Sequence, residues 1–191
     1  MRVEVLARRR RLDAGGRTAA AGRIQAELAG LVRRLRPARV TAYVPVGSEP
    51  GGADLPEALL RALGPGPELL LPVLRPDLDL DWAAYTGPGS LVAAGRGLRE
   101  PTGPRQGVAA VADAELVVVP ALAVDRRGLR LGRGGGSYDR ALARVGAAVP
   151  TVALLYDEEL VDSVPSQRHD RPVRFVITPG RGLVRLPSPP G

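Results

Sequence analysis

The sequence predicts an α/β protein: a three-layer α/β/α sandwich around a mainly parallel sheet, Rossmann-like in plan. Three observations predict it. Strand-like and helix-like segments alternate along the chain. Several strand segments, among them Leu69-Leu70-Leu71 and Leu116-Val117-Val118-Val119, are apolar at every position, the mark of a strand covered on both faces. A glycine-rich run lies between one of these strands and a helix start, the arrangement that presents backbone N–H groups to an anion.

The elements follow in order. Arg8 to Leu35 reads as a basic amphipathic helix, with Leu12, Ile24, Leu28, Leu31, Val32 and Leu35 at helical spacing and Gly15-Gly16 as its expected break. Arg39 to Val44 is a strand ending at Pro45, and Leu55 to Leu63 a short helix closed by a Gly-Pro turn. Leu69 to Leu74 is the second strand; its Pro72 has no N–H for a ladder, so it must sit at an edge, a bulge or the strand's end. Asp77 to Pro104 is polar and irregular, with a short strand around Trp82 to Tyr85. Leu116 to Val119 is the third strong strand, Ser137 to Val145 a helix closed by Gly146, Thr151 to Tyr156 the fourth strand and Phe175 to Thr178 the last. Residues 1–185 are expected to form a single domain, and the proline-rich residues 186–191 a disordered tail.

Composition narrows the function. No run of about eighteen apolar residues is present, so no membrane span is expected. The apolar part of the N-terminus is too short for a secretory signal. The chain has no cysteine, which excludes disulfides and thiolate metal sites, and a cytoplasmic protein is the expectation. The net charge is +7 and all 27 basic residues are arginine, while lysine and asparagine are absent. That bias fits a GC-rich coding sequence and by itself says little. The sign of the charge favours an anionic ligand, either nucleic acid or a small phosphorylated or carboxylated molecule. One Trp, one Phe and four Tyr are too few for a convincing base-stacking platform. The Arg8 to Arg11 cluster reads by default as a solvated helix face, leaving nucleic acid an unspecific rival.

The run Arg130-Leu131-Gly132-Arg133-Gly134-Gly135-Gly136-Ser137-Tyr138-Asp139-Arg140 carries most of the chemistry. It is not a P-loop, because no Gly-Lys-Ser/Thr follows at the right spacing, and as a dinucleotide fingerprint its third glycine would fall at Ser137. Four glycines flanked by Arg130, Arg133 and Arg140 nevertheless suit a phosphate group. Asp139 is either a carboxylate favoured by the helix start or a ligand to Mg²⁺ shared with phosphate oxygens. Glu49 lies just beyond the first strand, where open α/β sheets bind ligands; it is either a solvated loop acid or a partner for an NH-rich ring. His169, in His169-Asp170, is the only histidine and lacks partners for a metal site.

Together these pieces resemble the 5-formyltetrahydrofolate cyclo-ligase (methenyltetrahydrofolate synthetase) family. The resemblance is carried by Asp125-Arg126-Arg127-Gly128 with Arg130 to Asp139, by Tyr43-Val44-Pro45-Val46 with Glu49, by Leu98-Arg99-Glu100-Pro101, and by Pro165 with His169-Asp170. It implies a ligase that closes 5-formyltetrahydrofolate to 5,10-methenyltetrahydrofolate with ATP and Mg²⁺, through a phosphorylated imidate; a monomer is the separate expectation for its assembly. It implies that Arg130, Leu131, Gly132, Arg133, Gly134, Gly135, Gly136, Ser137 and Tyr138 hold the nucleotide, together with Arg2. Arg130 and Arg133 would stabilise phosphate charge, and Asp139 with Asp170 would hold the metal. Glu49 would bind the pterin, with Val44 lining that pocket and Trp82 against the substrate. Gly134, Gly135, Gly136 and Ser137 would border the formyl group.

Three departures stand out. Ser137 occupies the first of two positions where the family usually has tyrosine. The N-terminal lysine usual four residues before Arg2 would precede Met1, so either the chain starts late or one phosphate contact is missing. A glutamine usual after the fourth strand is absent from Tyr156-Asp157-Glu158-Glu159. A catalytically weak folate- or nucleotide-binding homologue is the alternative that these departures keep open.

Overall fold

The computed structural model describes residues 1–166 and 170–187. Its frame is a seven-stranded sheet of β1 (Arg39–Thr41), β2 (Glu68–Leu74), β3 (Leu80–Ala84), β6 (Leu116–Pro120), β9 (Thr151–Leu154), β11 (Phe175–Thr178) and β12 (Gly182–Arg185). The strand order is β12-β11-β9-β6-β1-β2-β3. The five inner strands are parallel to one another; β3 and β12 close the two edges antiparallel.

The apolar strands are buried on both faces, as their sequences require. On one face Val40, Leu69, Leu71, Leu116, Val118, Val152 and Leu154 meet α2 (Ala14–Leu35) and α3 (Leu55–Leu63) through Ile24, Leu28, Leu31, Leu55 and Leu59. On the other, Leu70, Val117, Val119, Ala153 and Val176 meet Val111 of a 3₁₀ segment, Val108–Asp113, and Ala141 and Leu142 of α4 (Ser137–Leu142). The second layer is thin, because α4 has six residues and ends before the Gly146 stop.

The long N-terminal helix is two helices, α1 (Arg2–Arg11) and α2, and the break falls at Leu12-Asp13, ahead of the expected Gly15-Gly16. Asp13 is the reason: its carboxylate accepts the Gly16 N–H at 2.6 Å and caps α2. The glycines therefore sit in the first turn, where the backbone N–H groups have no helical acceptor anyway.

Pro72 lies inside β2, away from any edge of the sheet. Leu70 accepts the Ala42 N–H at 3.0 Å, so even-numbered residues of β2 face β1. Two residues on, β1 has already ended at Thr41, and the missing N–H breaks no ladder.

Three short strands, β7 (Ala123–Asp125), β8 (Arg130–Leu131) and β10 (Leu160–Val161), form a second sheet. A hairpin of β4 (Leu91–Ala93) and β5 (Arg99–Pro101) lies in the stretch expected to be largely irregular. The predicted tail lies outside the described residues from 188 onward, as does His169.

Candidate active site

A cleft of about 670 Å³ opens beyond the carboxyl ends of β1, β2 and β6. Parallel strands end there without a ladder partner, so loops diverge and leave a crevice. Tyr43, Val44, Val46 and Glu49 come from the loop after β1, Pro72 and Leu74 from the end of β2, and Ala121 and Leu122 from the turn after β6. The glycine run forms the facing wall.

Glu49 is held by its own loop. Its carboxylate accepts the Val46 N–H at 2.9 Å, and its N–H donates to the Val46 carbonyl at 3.2 Å. Across the cleft its other oxygen meets the Arg133 guanidinium at 3.0 Å; the Glu49 side chain is 11% exposed and that of Arg133 58%. The loop that carries Arg133 turns through Gly134 (φ 107°) and Gly136 (φ 67°), values that a side chain would strain. Gly136 then starts α4.

Arg130 is the buried cation of the site. Its guanidinium donates to Asp139 at 2.8 Å, with the two side chains 4% and 18% exposed. It also stands 5.8 Å from the centre of the Tyr138 ring, within cation–π range. Its Nε is buried and has no hydrogen-bond partner among the described residues. Burial around the Tyr138 hydroxyl, with the Glu49 charge nearby, raises its pKa well above the ordinary phenol value; the opposing pull of Arg130 is the smaller effect. Burial, then Glu49, likewise drives the Tyr43 hydroxyl upward. Both rings present neutral hydroxyls at neutral pH.

The loop is braced on both flanks. Arg2 Nε donates to the Gly132 carbonyl at 3.0 Å. Arg140 Nη2 donates to the Gly135 carbonyl at 3.1 Å and to the Leu78 carbonyl at 2.6 Å, tying the glycine run to the β2–β3 turn. Beside it Arg144 grips Asp79 with two hydrogen bonds, at 2.9 and 2.6 Å, and this pairing lowers the Asp79 pKa.

Arg2, Val44, Glu49, the run Arg130 to Asp139 and Asp170 all line this cleft. Trp82 does not. It is 1% exposed and packs under the sheet with Leu70, Leu80 and Val111. Strand direction explains the correction: β3 runs antiparallel to β2, so its first residue, Leu80, lies at the cleft end, while Trp82, two residues on and on the same face, sits deeper in the apolar layer. Residues that the sequence left without a role complete the wall: Tyr43, Leu74, Leu78 and, from the β4–β5 hairpin, Arg96 and Leu98. The Gly95-Arg96-Gly97 turn was the available signal for that hairpin.

The model of the 5-formyltetrahydrofolate cyclo-ligase family matches residues 1–179. A 5-formyltetrahydrofolate cyclo-ligase from Mycolicibacterium smegmatis is 43% identical over 191 residues, covering 97% of this chain and 95% of that protein. The Escherichia coli protein of the same name is 30% identical over 145 residues, covering 74% of this chain and 78% of its own. Among solved structures, the Aquifex aeolicus 5,10-methenyltetrahydrofolate synthetase superposes with a TM-score of 0.79 at 27% identity, covering 100% of this chain and 93% of that one. A Mycoplasma pneumoniae 5,10-methenyltetrahydrofolate synthetase shares the fold at a TM-score of 0.73 and 16% identity, covering 93% of this chain and 96% of that one. On the strength of the family match and these identities, the chain belongs to the 5-formyltetrahydrofolate cyclo-ligase family.

Proposed function

We propose that the protein cyclises 5-formyltetrahydrofolate to 5,10-methenyltetrahydrofolate with ATP and Mg²⁺, releasing ADP and phosphate, and that it works as a cytoplasmic monomer built on one domain over residues 1–185. The reading is carried by one observation: a single cleft gathers the largely buried Glu49 carboxylate, the glycine loop, Arg130 and Arg133 in a chain of this family. No described helix is long and apolar enough to cross a membrane.

The chemistry asks for positioning and charge. The formyl oxygen attacks the γ-phosphorus; the new O–P bond forms as the bond to the β-phosphate oxygen breaks, and ADP leaves. N10 then attacks the formyl carbon, phosphate departs with the formyl oxygen, and N10 releases its proton. An amide-like oxygen is a weak nucleophile, so holding it in line is the main contribution. In this reading Glu49 accepts hydrogen bonds from the pterin, with Val44 beside it. The amides from Leu131 to Tyr138 cup the phosphates, with Gly134 to Ser137 bordering the formyl group. Arg133 and Arg130 neutralise charge that develops on the transferring group, and Arg2 joins the nucleotide set from the rim.

The residues fit a magnesium ion. Among the described residues no group of three or more acidic or histidine side chains forms a cage, but Asp139 and Asp170 line the same cleft. Magnesium takes one or two carboxylates and completes its shell with phosphate and water. When bound, it would neutralise charge on the phosphates.

Methenyltetrahydrofolate absorbance tests the proposal. Product should form only with ATP and Mg²⁺ both present; product without ATP, or none with both, would refute it.

A further inference from the structure

We propose that Arg9 and Glu159 are positioning residues for the phosphoryl transfer: through α1 they hold Arg2 against the glycine loop, a role that rests on the ATP reading above. The helix has little else to fix it, since only Val5 and Arg9 of its ten residues are buried. It touches the rest of the protein at three heights. At its start Arg2 donates to the Gly132 carbonyl at 3.0 Å. One turn on, Val5 packs on Leu122, Ala123 and Leu131. Near its end Arg9 is inserted into the protein.

The Arg9 guanidinium makes three hydrogen bonds. Nε and Nη2 meet the two Glu159 oxygens at 2.7 Å each, and Nη2 also donates to the Ala121 carbonyl at 2.7 Å. Both side chains are 2% exposed. Glu159 further accepts the Tyr156 N–H at 2.9 Å. Ala121 and Leu122 are cleft residues. One guanidinium therefore ties α1 to the cleft floor and to the loop after β9.

Stability is a weak reason for such a pair. Desolvating two charges offsets most of their attraction, and apolar residues of similar volume often do as well. The pair supplies direction instead: two parallel hydrogen bonds fix the plane of the guanidinium, and a rigid helix carries that alignment about 10 Å to Arg2. A displaced Arg2 loses a charge-assisted contact to the nucleotide, which weakens ATP binding.

The test is steady-state kinetics on Arg9→Met/Glu159→Gln, which removes both charges together and spares the fold a lone buried ion. The KM for ATP should rise about tenfold, the size of a coupled contact, with the folate KM within about twofold and the melting temperature near that of the unaltered protein. In an Arg2→Ala background the same pair of changes should add little, because Arg2 is the group it acts through. Arg8→Ala, which removes the exposed Arg8–Glu158 contact, should leave both KM values unchanged. Val5→Ala loosens the same helix without touching a charge and should raise the ATP KM selectively. If the double variant fails to fold, Val5→Ala decides. Unchanged ATP KM in the folded variant, equal rises in both KM values, or full additivity with Arg2→Ala would overturn the proposal. A wild-type protein with no ATP-dependent turnover would instead overturn the ATP reading itself.

Discussion

The Glu49 carboxylate and the Arg133 guanidinium meet 3.0 Å apart across the cleft. Each is proposed to bind a different substrate, so in the free protein the two sites neutralise one another. A triphosphate that draws Arg133 away leaves Glu49 free to accept from the pterin. The two ligands should therefore bind cooperatively. Arg133 is more than half exposed, so water screens the contact and it is worth only about 0.2–1 kcal/mol. A non-hydrolysable ATP analogue should tighten folate binding about two- to fivefold by calorimetry, and the effect should vanish in Arg133→Gln. Equal folate affinity with and without the analogue would remove the coupling.

Arg133→Ala tests the catalytic role. Removing a donor aimed at developing charge commonly costs about 10²–10³ in kcat. The stability cost should be small, because the side chain is exposed. A kcat near the wild-type value, read by methenyltetrahydrofolate absorbance, would end the assignment.

Asp139→Asn should behave differently, because its partner Arg130 is 4% exposed. Losing one member of a fully buried pair costs about 3–5 kcal/mol. Asp139 is itself 18% exposed, so water recovers part of that and the expected loss in urea unfolding is about 1–3 kcal/mol. The Mg²⁺ concentration for half-maximal rate should rise alongside. A stability loss with an unchanged Mg²⁺ requirement would leave Asp139 as the counter-ion of Arg130 and nothing more.

Tyr138 supplies a pH prediction. Its folded pKa lies above the ordinary 10.0. Above that pH the unfolded chain releases the phenol proton while the folded chain retains it. Stability from this group is thus complete below 10.0 and is lost as pH rises toward the folded value. Tyr138→Phe should flatten the alkaline fall by about 1.4 kcal/mol per pH unit. Tyr43, shifted the same way, should still titrate. The pH profile of kcat near neutrality should keep its shape, since a neutral phenol is not the base. An identical alkaline slope in the phenylalanine variant would contradict the shift.

The buried parallel strands were readable in the sequence, because residues such as Val117 and Val118 must each meet a different apolar layer. The glycine loop was readable too, since its arginines and glycines are contiguous. The hairpin of β4 and β5 was not: three-residue strands with exposed Val92 carry no periodic signal. The place of Trp82 away from the cleft was not readable, because a family position does not tell how far along β3 an indole sits from the cleft end. Arg9 was invisible for another reason. It stands in a run of four arginines, Arg8 to Arg11, and only the distant Glu159 and Ala121 distinguish it from its solvated neighbours.

The turn that delivers Arg130 rests on Gly128. Its φ is +86°, and a Cβ there would fall 2.3 Å from the Val173 carbonyl oxygen. The Gly128 carbonyl accepts the Val173 N–H at 2.8 Å, so the segment before β11 cannot retreat without losing the bond. Backbone strain at a positive φ alone costs about 1–3 kcal/mol. Gly107 separates strain from contact: its φ is +89°, but a Cβ would meet nothing within 4 Å. Gly107→Ala should lose about 1–3 kcal/mol in urea unfolding, and Gly128→Ala more than about 4 kcal/mol, beyond the ordinary range for one substitution. Folded Gly128→Ala protein should also lose turnover, because Arg130 follows two residues later. Equal losses at the two glycines would show that the Val173 contact does not fix this turn.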